Sequence, residues 1–285
     1  MNSFDERYYP LKRKFTARSK KFTRDRELAV QRIRTSGSEL VISKIRFPAA
    51  SPENIGKRLI FTSDWHWHNS DRNQRILQEF SRFTAEFRPD LLLRGGDICD
   101  DADTLTGLPE LLAHLSSLAP EVLTVNGNWE AGKRWLKPDF FAGLYAENNI
   151  ILLENSSFRI GSLRFTGLPD ISSINFRYIQ APPAEAGITD ILLTHSPDGV
   201  VASDKRDFLK NFALAFCGHT HGGQVRLPLF GAVYCPGFYA GKFDRGIFSR
   251  KGYDLKMIVS SGIGEHNGTF RFLCPPEAIA LEFVP

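Results

Sequence analysis

Apolar and polar positions along the 285-residue chain fall into short blocks whose period switches repeatedly between that of a buried strand and that of a helix. LIFTSD (residues 59–64) is an apolar run that ends in a carboxylate, and Ile76, Leu77, Phe80, Phe83 and Phe87 then follow at helical spacing. LLLRGGD (91–97) is a second such run, trailed by the helical series Leu105, Leu108, Leu111, Leu112, Leu115 and Leu118, and VLTVNGN (122–128) is a third. This β-α-β-α-β order predicts a parallel sheet covered by helices. The second half reads mostly as strands: IILLENSSFRI, SLRFTGLPD, DILLTHSPD, ALAFCGH, LKMIVSSGIG and AIALEFV. Two sheets packed face to face with helices outside accommodate both halves. With no internal linker or repeat after residue 40, one catalytic domain is expected over 40–285, preceded by a basic segment over 1–39.

That basic segment carries most of the charge asymmetry. Residues 1–60 hold 15 Lys and Arg against 6 Asp and Glu, whereas the remaining residues hold 21 against 26. Leu11, Phe15, Phe22, Ala29 and Ile33 recur at spacings of four and seven, a pattern compatible with an amphipathic helix lying on an anionic membrane surface. A partly disordered arm, or a helix packed on its own domain, explains the thin apolar stripe equally well. A nucleic-acid partner is not expected, because the body carries no matching basic patch. No apolar run approaches the ~20 residues of a membrane span, and the first residues lack a signal-type apolar core. The expected location is the cytoplasm, with peripheral membrane contact open. Cys99, Cys217, Cys235 and Cys274 are scattered without a CxxC pair and read as buried thiols rather than a zinc knot or disulfide framework.

The position of the polar residues carries the chemistry. Five apolar runs end in metal-competent side chains: Asp64 and His66, Asp97, Asn128, His195, then His219 and His221. Ligands of open α/β sheets bind outside the carboxyl ends of the strands, so these donors are expected to converge. Alone, each has a plain reading, a loop histidine or a Gly-Asp turn. Together, oxygen and imidazole donors without thiolate suit Mn²⁺ first, or Fe or Zn²⁺, and seven donors exceed what one tetrahedral ion takes. Two divalent ions sharing a carboxylate are the economical arrangement.

Asp64-x-His66, Gly96-Asp97, Gly127-Asn128, His195 and Gly218-His219-x-His221 resemble, in order, the signature of the calcineurin-like metallophosphoesterase superfamily. THSPD (194–198), GHTHGGQVRLPLFG (218–231) and the SGIG…RFLCPPE ending look like its YkuE/YaeI branch of bacterial phosphohydrolases. The resemblance implies a four-layer α/β/β/α sandwich of two mixed sheets and a phosphohydrolase acting through metal-activated hydroxide. It implies that Asp97 bridges two metals, with Asp64, His66 and His221 completing one site and Asn128, His195 and His219 the other. Members of the branch often carry a membrane-targeting N-terminus, whose place the basic segment takes here.

One departure stands out. The family usually places His after the Gly-Asn pair, where it can protonate the leaving group, and this chain has Trp129. Indole cannot supply that proton, which leaves His68 and Glu130 as candidate acids and Asn128 and Trp129 as candidate substrate contacts. The substitution predicts a good leaving group, as in an anhydride. Trp65, Trp67, Trp129, Trp135, Phe238 and Tyr239 cluster around the motifs, as core packing or as an apolar pocket beside a charged centre. His266, in GIGEHNGTF, lies in a glycine-rich loop that could edge the site. The expected substrate is a phosphodiester or phosphoanhydride on a lipid, such as UDP-diacylglucosamine or a phospholipid. A soluble phosphodiesterase acting on nucleotides is the alternative, an acid phosphatase suits the missing His less well, and a non-catalytic scaffold sits poorly with seven intact donors.

Overall fold

The computed structural model describes residues 17–34, 37–100, 105–132, 139–173, 182–237, 242–266 and 270–285. The first half contains β1 (Phe22–Arg24), β2 (Val30–Ile33), β3 (Val41–Pro48), β4 (Arg58–Thr62), α1 (Asp71–Phe87), β5 (Leu91–Arg94), α2 (Leu108–Ser116), β6 (Glu121–Thr124), the short α3 (Asn128–Gly132), α4 (Phe140–Glu147) and β7 (Ile150–Leu152). The second half runs β8 (Ser156–Ile160), β9 (Leu163–Leu168), β10 (Thr189–Thr194), α5 (Pro197–Ser203), β11 (Phe212–Cys217), β12 (Arg226–Leu227), β13 (Gly231–Ala232), β14 (Gly246–Arg250), β15 (Lys256–Val259) and β16 (Glu277–Val284).

These strands build two seven-stranded sheets, ordered β2-β3-β16-β4-β5-β6-β7 and β1-β14-β15-β11-β10-β9-β8. Four consecutive strands run parallel in each, β4 to β7 in the first and β9, β10, β11 and β15 in the second, and β3 and β16 form a further parallel pair in the first. Alternation along the strands sorts side chains onto two faces. Leu59, Phe61, Leu91 and Leu93 meet Phe165, Leu193, Leu214 and Phe216 in a dry layer between the sheets. The other face of the first sheet, through Ile60, Leu92 and Val122, packs on Ile76 and Phe80 of α1 and Leu111 and Leu115 of α2. The other face of the second, through Leu192, Ala215 and Met257, packs on Val200 and Val201 of α5. The architecture is the mixed α/β, four-layer arrangement that the sequence implied. All four cysteines are free and buried.

Helix α1 shows how local signals place an element. Ser70 caps it by accepting from the Asn73 N–H at 3.2 Å, and Arg88 in left-handed conformation ends it with an N–H donated to Thr84 O. The single run IILLENSSFRI becomes two strands, β7 closing one sheet and β8 opening the edge of the other.

The N-terminal segment corrects the helical reading over residues 22–33. Phe22 to Arg24 pair antiparallel with β14, and Val30 to Ile33 pair antiparallel with β3. The spacing of Phe22, Ala29 and Ile33 resembles a helix, but hydrogen bonding to two open sheet edges overrides that local period. Phe22 is buried against Phe243 and Phe248, so this stretch ties the two sheets together. Leu11 and Phe15 lie outside the described residues. No helix among the described residues is long and apolar enough to cross a membrane.

Candidate metal centre

All seven predicted donors sit just beyond the carboxyl ends of strands, and the structure brings them to one edge of the sandwich. Asp64 and His66 follow β4, Asp97 follows β5, Asn128 follows β6, His195 follows β10, and His219 and His221 follow β11. Sharp turns present them: Asp64, His66, Asp97, His219 and His221 all have φ between 39° and 69°. Side chains rarely adopt this left-handed region, and each instance costs ~1 kcal/mol or more. The loops are laced together, with Asp64 N–H donating to Gly96 O at 2.9 Å and Gly218 N–H to His195 O at 2.7 Å. Two motif glycines are sterically required. A Cβ on Gly127 would lie 2.1 Å from Asp97 Oδ1, and one on Gly218 would lie 2.3 Å from Asp64 Oδ2.

The donors form two adjoining groups. In one, His195 Nε2 lies 3.0 Å from Asn128 Oδ1, 3.1 Å from His219 Nδ1 and 3.1 Å from Asp97 Oδ2. In the other, His66 Nε2 lies 3.1 Å from His221 Nε2, and His221 Nε2 lies 3.6 Å from Asp64 Oδ1. Asp97 stands between them, its Oδ2 also 3.8 Å from His66 Nε2. Asp64, His66 and His221 form one set able to hold an ion, and Asp97, His195 and His219 another.

The residues fit divalent cations. His195 Nδ1 donates to Gly95 O at 2.7 Å, which turns the Nε2 lone pair toward the oxygens of Asp97 and Asn128. With Nε2 unprotonated, a cation between it and these oxygens would satisfy all three donors. Donors bound at ~2.0–2.2 Å to one ion sit about 3 Å apart, as these do. The same demand for positive charge appears in the protonation equilibria. Burial disfavours a charged His195, yet the Asp97 carboxylate outweighs it and holds the imidazole well above its ordinary pKa. Burial likewise opposes ionisation of Asp97, and His195 overcomes it, lowering the carboxyl pKa. His219 is pushed down by burial and by His195, and His221 by burial and by His66. Neutral imidazole and ionised carboxylate are the ligand forms of these side chains.

Sequence reasoning missed the residues that orient the donors. Asp100 bonds His66 Nδ1 and, through its other oxygen, His68 Nε2 at 2.8 Å. Such a carboxylate fixes the ring and its tautomer. Its only signal is its place three residues after Asp97. Glu130, a candidate acid from the sequence, has a different place: it accepts from the backbone N–H groups of Asp97 at 2.9 Å, Ile98 at 2.6 Å and Gly127 at 2.7 Å. Burial and the Asp97 charge raise its pKa, but its oxygens are spent holding the two loops. His68 is half-exposed and leans on Asp100.

Trp129 stays beside the donors. Its backbone N–H donates to Asp97 Oδ1 at 2.9 Å, and its ring packs edge-on at 6.1 Å from His66. His266 closes the same corner, with centroids 5.4 Å from Trp129 and 5.5 Å from His66. Arg271 lies behind His221, its Nη2 3.5 Å from Nδ1 and 2.8 Å from Ser261 O. Trp65 and Trp67 are core residues packed with Phe80. Trp135, Phe238 and Tyr239 lie outside the described residues.

A family model described as calcineurin-like phosphoesterase matches residues 57–223. The phosphodiesterase YaeI of Escherichia coli strain K12 is 26% identical over 237 residues, covering 80% of this chain and 82% of its own length. The uncharacterized metallophosphoesterase YkuE of Bacillus subtilis strain 168 is 28% identical over 201 residues, 67% of each chain. Among solved structures, a dimetal phosphatase from Danio rerio aligns at a TM-score of 0.44 and 12% identity, covering 73% of this chain and 88% of that one.

Proposed function

Because the chain belongs to the calcineurin-like phosphoesterase family, and is thus a metal-dependent phosphoester hydrolase, we propose that it cleaves a phosphodiester or phosphoanhydride whose leaving group departs without a proton donor, on a lipid-linked substrate. In this reading Asp64, His66 and His221 hold one divalent ion, Asn128, His195 and His219 hold the second, and Asp97 serves both. The observation that carries it is the placement of Asp97 Oδ2 within 3.1 Å of His195 Nε2 and 3.8 Å of His66 Nε2. Divalent cations held by these residues would supply Lewis-acid activation of water and charge neutralisation at the phosphoryl oxygens.

The protein's own groups set the donor geometry and the proton inventory. Asp100 orients His66, Gly95 O orients His195, and Glu130 fixes the loops that carry Asp97 and Asn128. Around the leaving-group side, Trp129 offers no acidic proton. Burial lowers the pKa of His266, which works against its serving as a proton donor. General-acid help is worth about 10²–10⁴-fold for a poor leaving group and little for a phosphate or aryl oxide. That supports an anhydride or activated diester, with UDP-diacylglucosamine or a phospholipid as the lipid-linked type. The name of the E. coli relative, a phosphodiesterase, favours a diester over a monoester.

A soluble phosphodiesterase acting on nucleotides would use the same donors. A matched panel separates them: bis-p-nitrophenyl phosphate, p-nitrophenyl phosphate, a UDP-linked acylated sugar and a phospholipid, each with Mn²⁺-loaded enzyme. The lipid-linked anhydride or diester is expected to turn over fastest. Turnover confined to the small water-soluble diester would return the reading to the nucleotide class.

A further inference from the structure

Beside the metal centre the surface is unusually apolar. The β12–β13 hairpin exposes Leu229 completely and Phe230 to 86%, with Val233 and Tyr234 exposed just after it. The loop through Phe270, Phe272 and Leu273 exposes three more large apolar side chains. The two segments form one unit: Arg226 N–H donates to Phe272 O and Phe272 N–H to Gln224 O, both at 3.0 Å. That unit is joined to the catalytic edge, since His266 N–H donates to the Gln224 side chain at 3.0 Å. Contiguous exposed apolar surface of this kind marks an interaction site.

Two features say what covers it. Leu229 and Leu273 both have left-handed backbone, φ 68° and 51°. Turns at that φ favour Gly or Asn, so a leucine displayed there is kept against local preference. The second feature is charge. Between Gln224 and Gly237 the chain has Arg226 and no carboxylate. At the hairpin's root opens a cavity of about 390 Å³, lined by Arg24, Arg32, Arg226 and Arg245 against Asp25 and Glu277. Lys256 pairs with Asp25, Arg24 and Arg226 pair with Asp244, and Arg32 pairs with Glu277, which leaves Arg245 as the guanidinium facing the cavity without a carboxylate partner among the described residues. Among the described residues Arg245 makes no ion pair within 4.0 Å, its guanidinium contacting Cys274 Sγ at 3.8 Å.

We infer that the hairpin and the 270–273 loop form a docking surface for an anionic lipid bilayer: the leucine and phenylalanine tips enter the acyl boundary while the arginine-lined cavity takes a phosphate headgroup. Apolar insertion and headgroup attraction are the two signals that stable peripheral binding needs. Docked this way, the metal centre faces the source of a lipid-linked phosphate. The purpose, though not the binding, rests on the lipid-substrate reading above.

Sedimentation with vesicles tests it. The full chain is expected to bind phosphatidylglycerol vesicles well above phosphatidylcholine vesicles, more weakly as salt rises. L229S/F230S should lower that binding by roughly tenfold or more, while hydrolysis of bis-p-nitrophenyl phosphate stays at the wild-type rate and reports an intact site. R245Q should erase the preference for phosphatidylglycerol. Vesicle binding without turnover of any lipid-linked substrate supports the docking surface and removes the substrate reading instead. Three results overturn the inference: no wild-type binding to phosphatidylglycerol, unchanged binding by L229S/F230S, or a wild-type dimer in sedimentation velocity that this variant converts to monomer.

Discussion

At the scale of single residues, the candidate metal ligands are of one kind and the side chains that orient them are of another. Asp100 belongs to the second kind. Replacing it with Asn keeps the shape but removes the charge behind His66 Nδ1, so metal affinity should fall about 10–100-fold, read by chelator competition, with secondary structure unchanged. Trp129→His restores an ionisable group beside the centre. It should accelerate hydrolysis of alkyl diesters more than of anhydrides, and an equal effect on both would show that this position does not serve the leaving group. The convergence of the seven candidate donors was legible because each ends an apolar run, and strand ends converge in this class of fold. Asp100, Glu130 and Arg271 were not legible in these roles. They act through backbone groups or other side chains, and only the folded loops bring Glu130 within hydrogen-bond reach of Asp97, Ile98 and Gly127.

At the scale of elements, the strands of the two parallel cores declared themselves as apolar runs, because both faces of each are covered. The N-terminal strands did not. β1 and β2 have three and four residues, with only Phe22 buried, and β1 finds its partner β14 far away in sequence, while β2 pairs with the next strand, β3. Asp25 anchors the link between them. It accepts from Leu28 N–H at 2.8 Å and Lys256 Nζ at 2.5 Å. Burial would raise its pKa, but these hydrogen bonds win and lower it. A depressed carboxyl pKa contributes stability that is present above the unfolded value of about 4 and is lost as pH falls through the folded one. Asp25→Asn should therefore cost about 1–3 kcal/mol in urea unfolding at pH 7. The gap to wild type should narrow steadily as the pH drops below about 4. A gap that does not change with pH would show that the ionised carboxylate is not what joins β1 and β2.

At the scale of the whole molecule, the two sheets aim their parallel strands at one edge, and that convergence makes the candidate centre. β4, β5 and β6 deliver Asp64, His66, Asp97 and Asn128 from the first sheet, and β10 and β11 deliver the remaining histidines from the second. Asp97 is where the two sets meet, so the most direct measurement is metal content per chain, by mass spectrometry of Mn²⁺-reconstituted wild type and Asp97→Ala at equal folded concentration. Two ions per wild-type chain, with both weakened and turnover abolished in the variant, is the predicted result. A variant that keeps both ions, or turns over at the wild-type rate, would contradict the shared-carboxylate centre.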